Sequence, residues 1–302
     1  MRTVGVVGAG AIGSSWAALL LRRGLRVVAT DPAPNAETAL RAAVAAVLGD
    51  QPELDRLRFV AEPAVAVSDV DLVLECGPER VHTKREIFAA LDAATDPDVL
   101  LASSSSGIRP SEFQDVCAHP ERVLVAHPFY PPHLLPLVEV VGGRQTSEEA
   151  IETALAVLRS WGKTPIRLRA ELPGHVANRL QAALWREAYD LVRRGVVSVA
   201  DLDVAISAGP GLRWALLGPL ATQHLSGGPG GMAHMLAHLG PPMVEWWHDL
   251  GAPPELTPEL VAQLVDGVAA EFGGREADIA AARDRALEEL LALKRTAGLD
   301  ER

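Results

Sequence analysis

An apolar β-branched run, Thr3–Val7, passes directly into Gly8-Ala9-Gly10-Ala11-Ile12-Gly13, and the helical pattern Ala11–Arg23 follows, closed by Gly24. Few folds are open to a chain that leaves a strand, turns within a few residues and starts a helix there. The pattern is the first half of a βαβ unit. Gly8 permits the tight turn, Gly10 lets the backbone approach a pyrophosphate at the helix N-terminus, and Gly13 lets the helix pack closely on the sheet. A second strand, Arg26–Thr30, ends just before Asp31, where a carboxylate accepts hydrogen bonds from adenosine ribose hydroxyls. That carboxylate repels a 2′-phosphate, so NAD is expected rather than NADP. FAD shares the fingerprint, but no further flavin signature accompanies it. Gly8, Gly10, Ala11, Ile12, Gly13 and Asp31 are therefore the expected cofactor contacts.

The alternation continues through residue 173. Helix Asn35–Leu48 ends at Gly49, short strands are expected at Arg58–Ala61 and Asp71–Glu75, and a helix at Arg85–Ala94. Strands Val99–Ser103, Val123–His127 and Leu137–Val141, helix Glu148–Trp161 and a last strand Thr164–Leu168 complete the set. Strands alternating with helices predict a doubly wound, mostly parallel α/β sheet. After the breaker Leu172-Pro173-Gly174 the strand pattern stops. Helices are expected at Val176–Arg194, Val199–Ser207 and Arg283–Lys294, with a loop-rich stretch from Gly209 to Pro254, dense in Gly, Pro, His and Trp. The organisation expected is a nucleotide domain, 1–173, followed by an all-helical domain, 174–302.

The formal net charge of -11 argues against nucleic-acid and anionic-membrane partners, since phosphate surfaces repel such a chain. No run of about 18 apolar residues is present to span a membrane. The opening residues lead straight into the first strand and leave no room for a signal peptide, so a reducing cytoplasm is the expected compartment. Cys76 and Cys117 are too few for a disulfide framework or a zinc site, and Cys76 reads as a core thiol.

An enzyme that oxidises an alcohol with a nicotinamide needs a base for the hydroxyl proton and donors for the emerging carbonyl. His127 ends a strand, at the sheet edge where α/β proteins bind ligands. Glu139 falls inside the next apolar strand, where a carboxylate is costly unless it has a proton donor or cation beside it. An imidazole N–H would satisfy it and raise the basicity of the ring. On chemistry alone the pair suits a structural role as well as a catalytic one.

The runs Leu101-Ala102-Ser103-Ser104-Ser105-Ser106, His127-Pro128-Phe129, Pro136-Leu137-Val138-Glu139 and Pro173-Gly174-His175-Val176-Ala177-Asn178-Arg179, in that order and spacing, resemble the 3-hydroxyacyl-CoA dehydrogenase family. The resemblance implies His127 as general base, Glu139 as its orienting partner, and Ser106 and Asn178 as donors to the substrate oxygen. Without it, Ser106 reads as a loop cap and Asn178 as a helix N-terminal residue. Glu75, Glu79 and Lys84 match positions near the cofactor. Tyr130 departs from the family, which usually has Asn after His-Pro-Phe, and so bears on substrate shape.

Within the family, Gly209-Pro210-Gly211-Leu212-Arg213-Trp214-Ala215-Leu216-Leu217-Gly218-Pro219 and Leu184-Trp185-Arg186-Glu187-Ala188 resemble the free-acid branch, the carnitine and gulonate dehydrogenases and lambda-crystallin. The charge pattern agrees. CoA carries phosphates that need cations, yet Pro32–Leu57 contains no lysine and only Arg41 and Arg56. A small L-3-hydroxy acid needs one fixed cation, for which Arg213 is the candidate; it equally suits a surface salt bridge. Carnitine would also need an aromatic cage for its quaternary ammonium. Tyr130, Trp185, Trp214, Trp246 and Trp247 are available, although tryptophans in a helical domain are commonly core. The expected activity is thus NAD-dependent oxidation of a free 3-hydroxy acid. A CoA-thioester dehydrogenase and a crystallin-like structural protein that retains NAD binding are the alternatives. The resemblance also implies a homodimer built from the helical domain.

Overall fold

The computed structural model describes residues 2–49, 52–250 and 253–299. The chain forms two compact units, one up to Arg179 and one from Leu180. The Pro173-Gly174 breaker precedes this division by a few residues, because the helix beginning at Ala177 carries the chain across it.

The first unit contains strands β1 (Thr3–Val7), β2 (Arg26–Thr30), β3 (Leu57–Phe59), β4 (Leu72–Glu75), β5 (Leu100–Ser103), β6 (Val123–Pro128), β7 (Leu137–Gly142) and β8 (Thr164–Arg167). They form one sheet in the order β3-β2-β1-β4-β5-β6-β7-β8. Helices α1 (Ala11–Arg22), α2 (Ala36–Leu48) and α5 (Glu148–Ser160) supply Trp16, Leu20, Leu40, Ile151 and Leu155 to the core on one face. Helices α3 (Pro63–Val67) and α4 (Val81–Ala94) supply Val67, Phe88 and Leu91 to the core on the other. The strands serve both: Leu72 and Leu74 point to the first core and Val73 to the second, as the period of two requires. The chain leaves β1 toward β2 on one side and β4 on the other, which is the switch point where doubly wound sheets bind ligands.

All strand pairs are parallel except β6 with β7. The link 129–136 between those two is too short for a crossover, so the chain must turn back on itself. The resulting antiparallel register sets His127 opposite Glu139.

Helix α6 (Ala177–Arg193) leads into the second unit, which contains α7 (Val199–Ser207), α8 (Pro210–Leu216), α9 (Pro219–Ser226), α10 (Gly231–Asp249), α11 (Pro258–Phe272) and α12 (Glu276–Thr296). The stretch expected to be loop-rich is therefore mostly helical. Pro210 and Pro219 stand at helix starts, where a missing N–H costs nothing, and so open helices rather than break them. Pro241 and Pro242 lie inside α10. No element was expected at 63–67, where α3 stands, and α4 starts at Val81 rather than Arg85. Among the described residues no helix is long and apolar enough to cross a membrane.

Candidate active site

Gly8 has φ +100°, and a Cβ there would meet the Cys76 backbone at 2.7 Å. A Cβ on Gly13 would lie 1.9 Å from the Gly8 carbonyl oxygen, so strand and helix could not approach as they do. At Gly10, by contrast, the space a Cβ would take is open. Helix α1 also lacks any side-chain cap or acidic residue in its first turn. In α5, Ser147 caps and Glu148 and Glu149 face the dipole. The first-turn N–H groups of α1, where Ala11 and Ile12 stand, are thus left for an external anion. Asp31 is held by the same loop: Oδ2 accepts from Ala9 N at 2.7 Å and Oδ1 from Ala33 N at 2.8 Å. Gly8, Gly10, Asp31 and Ala33 line a cleft of about 740 Å³ that extends to Cys76, Pro78 and Ile87. An open cradle, an uncapped helix start and a fixed carboxylate fit a dinucleotide. Cys76 is half-buried on the cleft wall rather than within the core, and burial pushes its thiol up to about 12.

Lys84, expected beside the cofactor, is instead 1% exposed, with Nζ 2.8 and 3.1 Å from the two oxygens of the buried Glu75. Ser103 Oγ donates to the same carboxylate at 2.6 Å. The ammonium is thus paired with the protein's own buried carboxylate. Glu79 is likewise engaged internally: its Oε1 accepts from Ser105 Oγ at 2.6 Å and from Gly107 N at 3.0 Å. Both residues brace the loop after β5 that presents Ser106 at the surface.

Beside that loop, His127 Nδ1 lies 3.0 Å from Glu139 Oε2, with both residues buried. The other oxygen of Glu139 accepts from Val176 N at 2.9 Å and Ala177 N at 3.0 Å, at the start of α6. Burial pushes the Glu139 carboxyl up. The bond from His127 and the two backbone amides outweigh it and hold the group below its ordinary value. An ionised carboxylate only accepts, so His127 carries its proton on Nδ1 and offers a lone pair from Nε2. A ring so held can accept a proton at Nε2.

Asn178 Nδ2 donates to the Ser106 carbonyl at 3.0 Å, so these two expected donors are neighbours. Tyr130 is 59% exposed beyond β6, and the Phe129 ring lies edge-on to His127 at 5.1 Å. Arg213 and Trp214 stand on α8 of the second unit, both exposed, and among the described residues the Arg213 guanidinium has no ion pair. Trp185, Trp214, Trp246 and Trp247 are 41–61% exposed and so do not form a core in that unit. Sequence reasoning passed over His175. It is fully buried, 5.3 Å ring to ring from His127, and the only signal was a histidine directly after Pro-Gly at a helix start.

The NAD-binding domain of 3-hydroxyacyl-CoA dehydrogenases matches residues 3–171, and the C-terminal domain of the same enzymes matches residues 174–266. The chain is 46% identical to an L-carnitine dehydrogenase of Streptomyces coelicolor over 96% of its own length and 94% of the relative's. It is 47% identical to an L-carnitine dehydrogenase of Pseudomonas aeruginosa over 91% and 88%. Among solved structures, 5-formyl-3-hydroxy-2-methylpyridine 4-carboxylic acid 5-dehydrogenase, an NAD-dependent dismutase, superposes with a TM-score of 0.81 at 30% identity, covering 100% of this chain and 99% of that one. (S)-3-hydroxybutyryl-CoA dehydrogenase of Ralstonia eutropha superposes with a TM-score of 0.67 at 27% identity, covering 87% and 94%. With its glycine loop, fixed Asp31 and matching domains along most of its length, the chain belongs to the 3-hydroxyacyl-CoA dehydrogenase family and is an NAD-dependent oxidoreductase acting on a CH–OH group.

Proposed function

We propose that this protein oxidises the 3-hydroxyl of a small, free L-3-hydroxy acid, carnitine- or gulonate-like, to the 3-keto acid. The observation that carries the chemistry is the buried His127–Glu139 pair at the carboxyl edge of the sheet. His127 Nε2 takes the hydroxyl proton, and Glu139 holds the ring and offsets the charge that forms on it. Ser106 and the second amide N–H of Asn178 hold the substrate oxygen as it becomes a carbonyl. When bound, NAD supplies the oxidant by taking the hydrogen at C3 with its electron pair. Asp31 holds the adenosine ribose, and the α1 N-terminus with Gly8, Gly10, Ala11, Ile12 and Gly13 holds the pyrophosphate. Arg213 binds the substrate carboxylate, with Tyr130 and Trp214 shaping its site.

Identity of 44–47% to carnitine dehydrogenases over at least 90% of the chain supports the free acid over the thioester. We further propose a homodimer joined through the helical unit, whose helices leave their apolar side chains uncovered. The experiment is NADH production with a panel of L-carnitine, L-gulonate, other 3-hydroxy acids and CoA thioesters. Turnover of free acids alone is expected. Turnover of thioesters alone moves the protein to the other branch, and NAD binding without any turnover makes it a structural relative.

A further inference from the structure

Four consecutive residues at the start of α6 grip three parts of the site. His175 Nε2 lies 3.0 Å from the Ser105 carbonyl oxygen, Val176 N and Ala177 N donate to Glu139 at 2.9 and 3.0 Å, and Asn178 Nδ2 donates to the Ser106 carbonyl at 3.0 Å. The serine loop and the His127–Glu139 pair come from different strands and touch this one turn at adjacent residues. We propose that His175 is a positioning residue of this site, whose Nε2–H fixes the serine loop against the His127–Glu139 pair. The assignment rests on the reading of His127 as the base.

The ring's own chemistry fixes its state. A carbonyl only accepts, so Nε2 carries the proton and Nδ1 a lone pair. Nδ1 is buried and has no hydrogen-bond partner. A proton there would create a fully buried cation with one N–H unsatisfied, so the ring is uncharged. The charged and titratable groups around it are His127 on β6, Glu139 on β7 and Glu79 before α4. Burial, the largest influence, lowers its affinity for a proton, and His127 lowers it further; the Ser105 carbonyl, Glu139 and Glu79 act the other way without winning.

Two consequences follow for the reaction. The Ser105 carbonyl has its donor, so the following residue, Ser106, is held at a set distance from the base. An uncharged neighbour whose ring lies 5.3 Å from that of His127 also does not oppose the imidazolium that forms there when the hydroxyl proton is taken. The backbone supports a placed residue rather than a filler: His175 has φ +51°, a conformation few residues other than glycine adopt.

His175→Phe keeps the ring's shape and the backbone's burden but removes the donor. Its kcat should fall by at least about tenfold, toward the ~10²-fold that a 1 Å misplacement costs, with KM for NAD unchanged. His175→Gln places an amide N–H where Nε2 stood and should recover most of kcat, while a merely structural ring would be rescued better by Phe. The acid limb of kcat/KM should lie at the same pH in the Gln variant and the wild type, because His175 does not titrate there. A Phe variant with wild-type kcat, or a Gln variant whose acid limb moves or vanishes, overturns the assignment. Nitrogen chemical shifts of His175 in the wild type test it without turnover. An Nε2–H tautomer uncharged at neutral pH is expected, and an imidazolium or an Nδ1–H tautomer overturns it. If His127→Ala remained active while these shifts came out as expected, the reading of the base would fail and the positioning of the loop would stand.

Discussion

Helix α1 of the nucleotide unit buries nine of its 12 residues, whereas α12, the 21-residue helix that ends the second unit, buries none. The contrast runs through both units. In the first, Trp16, Leu20, Phe88 and Phe113 are completely enclosed. In the second, the buried hydrophobics among the described residues are Ala188, Val192 and Leu260, while Val265, Trp246 and Trp247 are 58–61% exposed. A doubly wound sheet covers both its faces with its own helices and is finished when the chain closes. Amphipathic helices set side by side have more apolar surface than they can cover for one another, and that remainder is what the proposed dimer would cover. Chemistry that needs groups held rigidly belongs on the first kind of structure. Association, and contact with a substrate's variable part, are proposed for the second.

The sharpest way to break this division is to remove the proposed base. His127→Ala should lower kcat by roughly 10²–10⁴-fold, the usual contribution of a positioned general base, and leave NAD affinity and self-association as they were. Stopped-flow turnover with calorimetric NAD titration checks it. A variant retaining most of its activity would put the chemistry elsewhere. The complementary change in the other unit is Arg213→Met, which keeps the stem and removes the guanidinium. KM for free acids should rise by roughly 2–5 kcal/mol in binding terms, about thirtyfold or more, with NAD binding unaltered. An unchanged KM for every active acid would take the carboxylate away from Arg213.

What the sequence disclosed follows the same division. β1 and β2 were read to the residue, since a β-branched run ending at a glycine or an acid has sharp edges. The His127–Glu139 pair was legible because both stand in adjacent strands with a short link, so their pairing is almost a local property. His175 was not legible, because its partner at Ser105 is 70 residues away and only the folded sheet brings them together. The partner of Lys84 was hidden for a related reason: the sequence shows a cation near the cofactor loop, but not that Glu75 pairs with it. The second unit was obscured by its composition, since Gly and Pro between 209 and 254 read as loop while several of them open helices.

A smaller effect sharpens the claim about association. Val265 on α11 lines an apolar groove of about 570 Å³ with Trp185, Val199 and Val268. Val265→Glu would place a carboxylate of each copy in a desolvated contact. The proposed dimer should weaken by roughly 2 kcal/mol, about thirtyfold in dissociation constant, while NAD affinity holds. Sedimentation velocity over a range of concentrations decides it, and an undiminished dimer would move the interface to another face.

The smallest effect concerns which unit carries the pH dependence of stability above neutrality. Among the described residues the second unit buries Asp190 but no lysine or arginine, whereas the first buries Lys163. Its ammonium donates to the carbonyls of Pro132 and Leu135, in the link that follows His127, and lies 5.2 Å over the Trp16 ring. Burial, with Arg23 nearby, brings its pKa down from 10.5 to about 7. The unfolded chain therefore holds this proton to about pH 10.5 and the folded chain only to about 7. Between those values the unfolded state binds more protons, so stability rises with pH. Cys76 and Cys117 act oppositely. Burial pushes both thiols from 9.0 up to about 12, so the stability they contribute is present below about 9 and is lost as pH rises above it. The window that isolates Lys163 is thus about pH 7 to 8.5. Across it the wild type should gain on the order of 1–2 kcal/mol relative to Lys163→Met, a relative rise of a few degrees in Tm for a domain of this size. The carbonyl bonds and the Trp16 face favour the ammonium and set the gain toward the lower figure. Scanning calorimetry of both proteins at intervals through the window measures the difference in slope. Parallel slopes would mean that the ammonium stays charged beneath the link, and that its hydrogen bonds outweigh its burial.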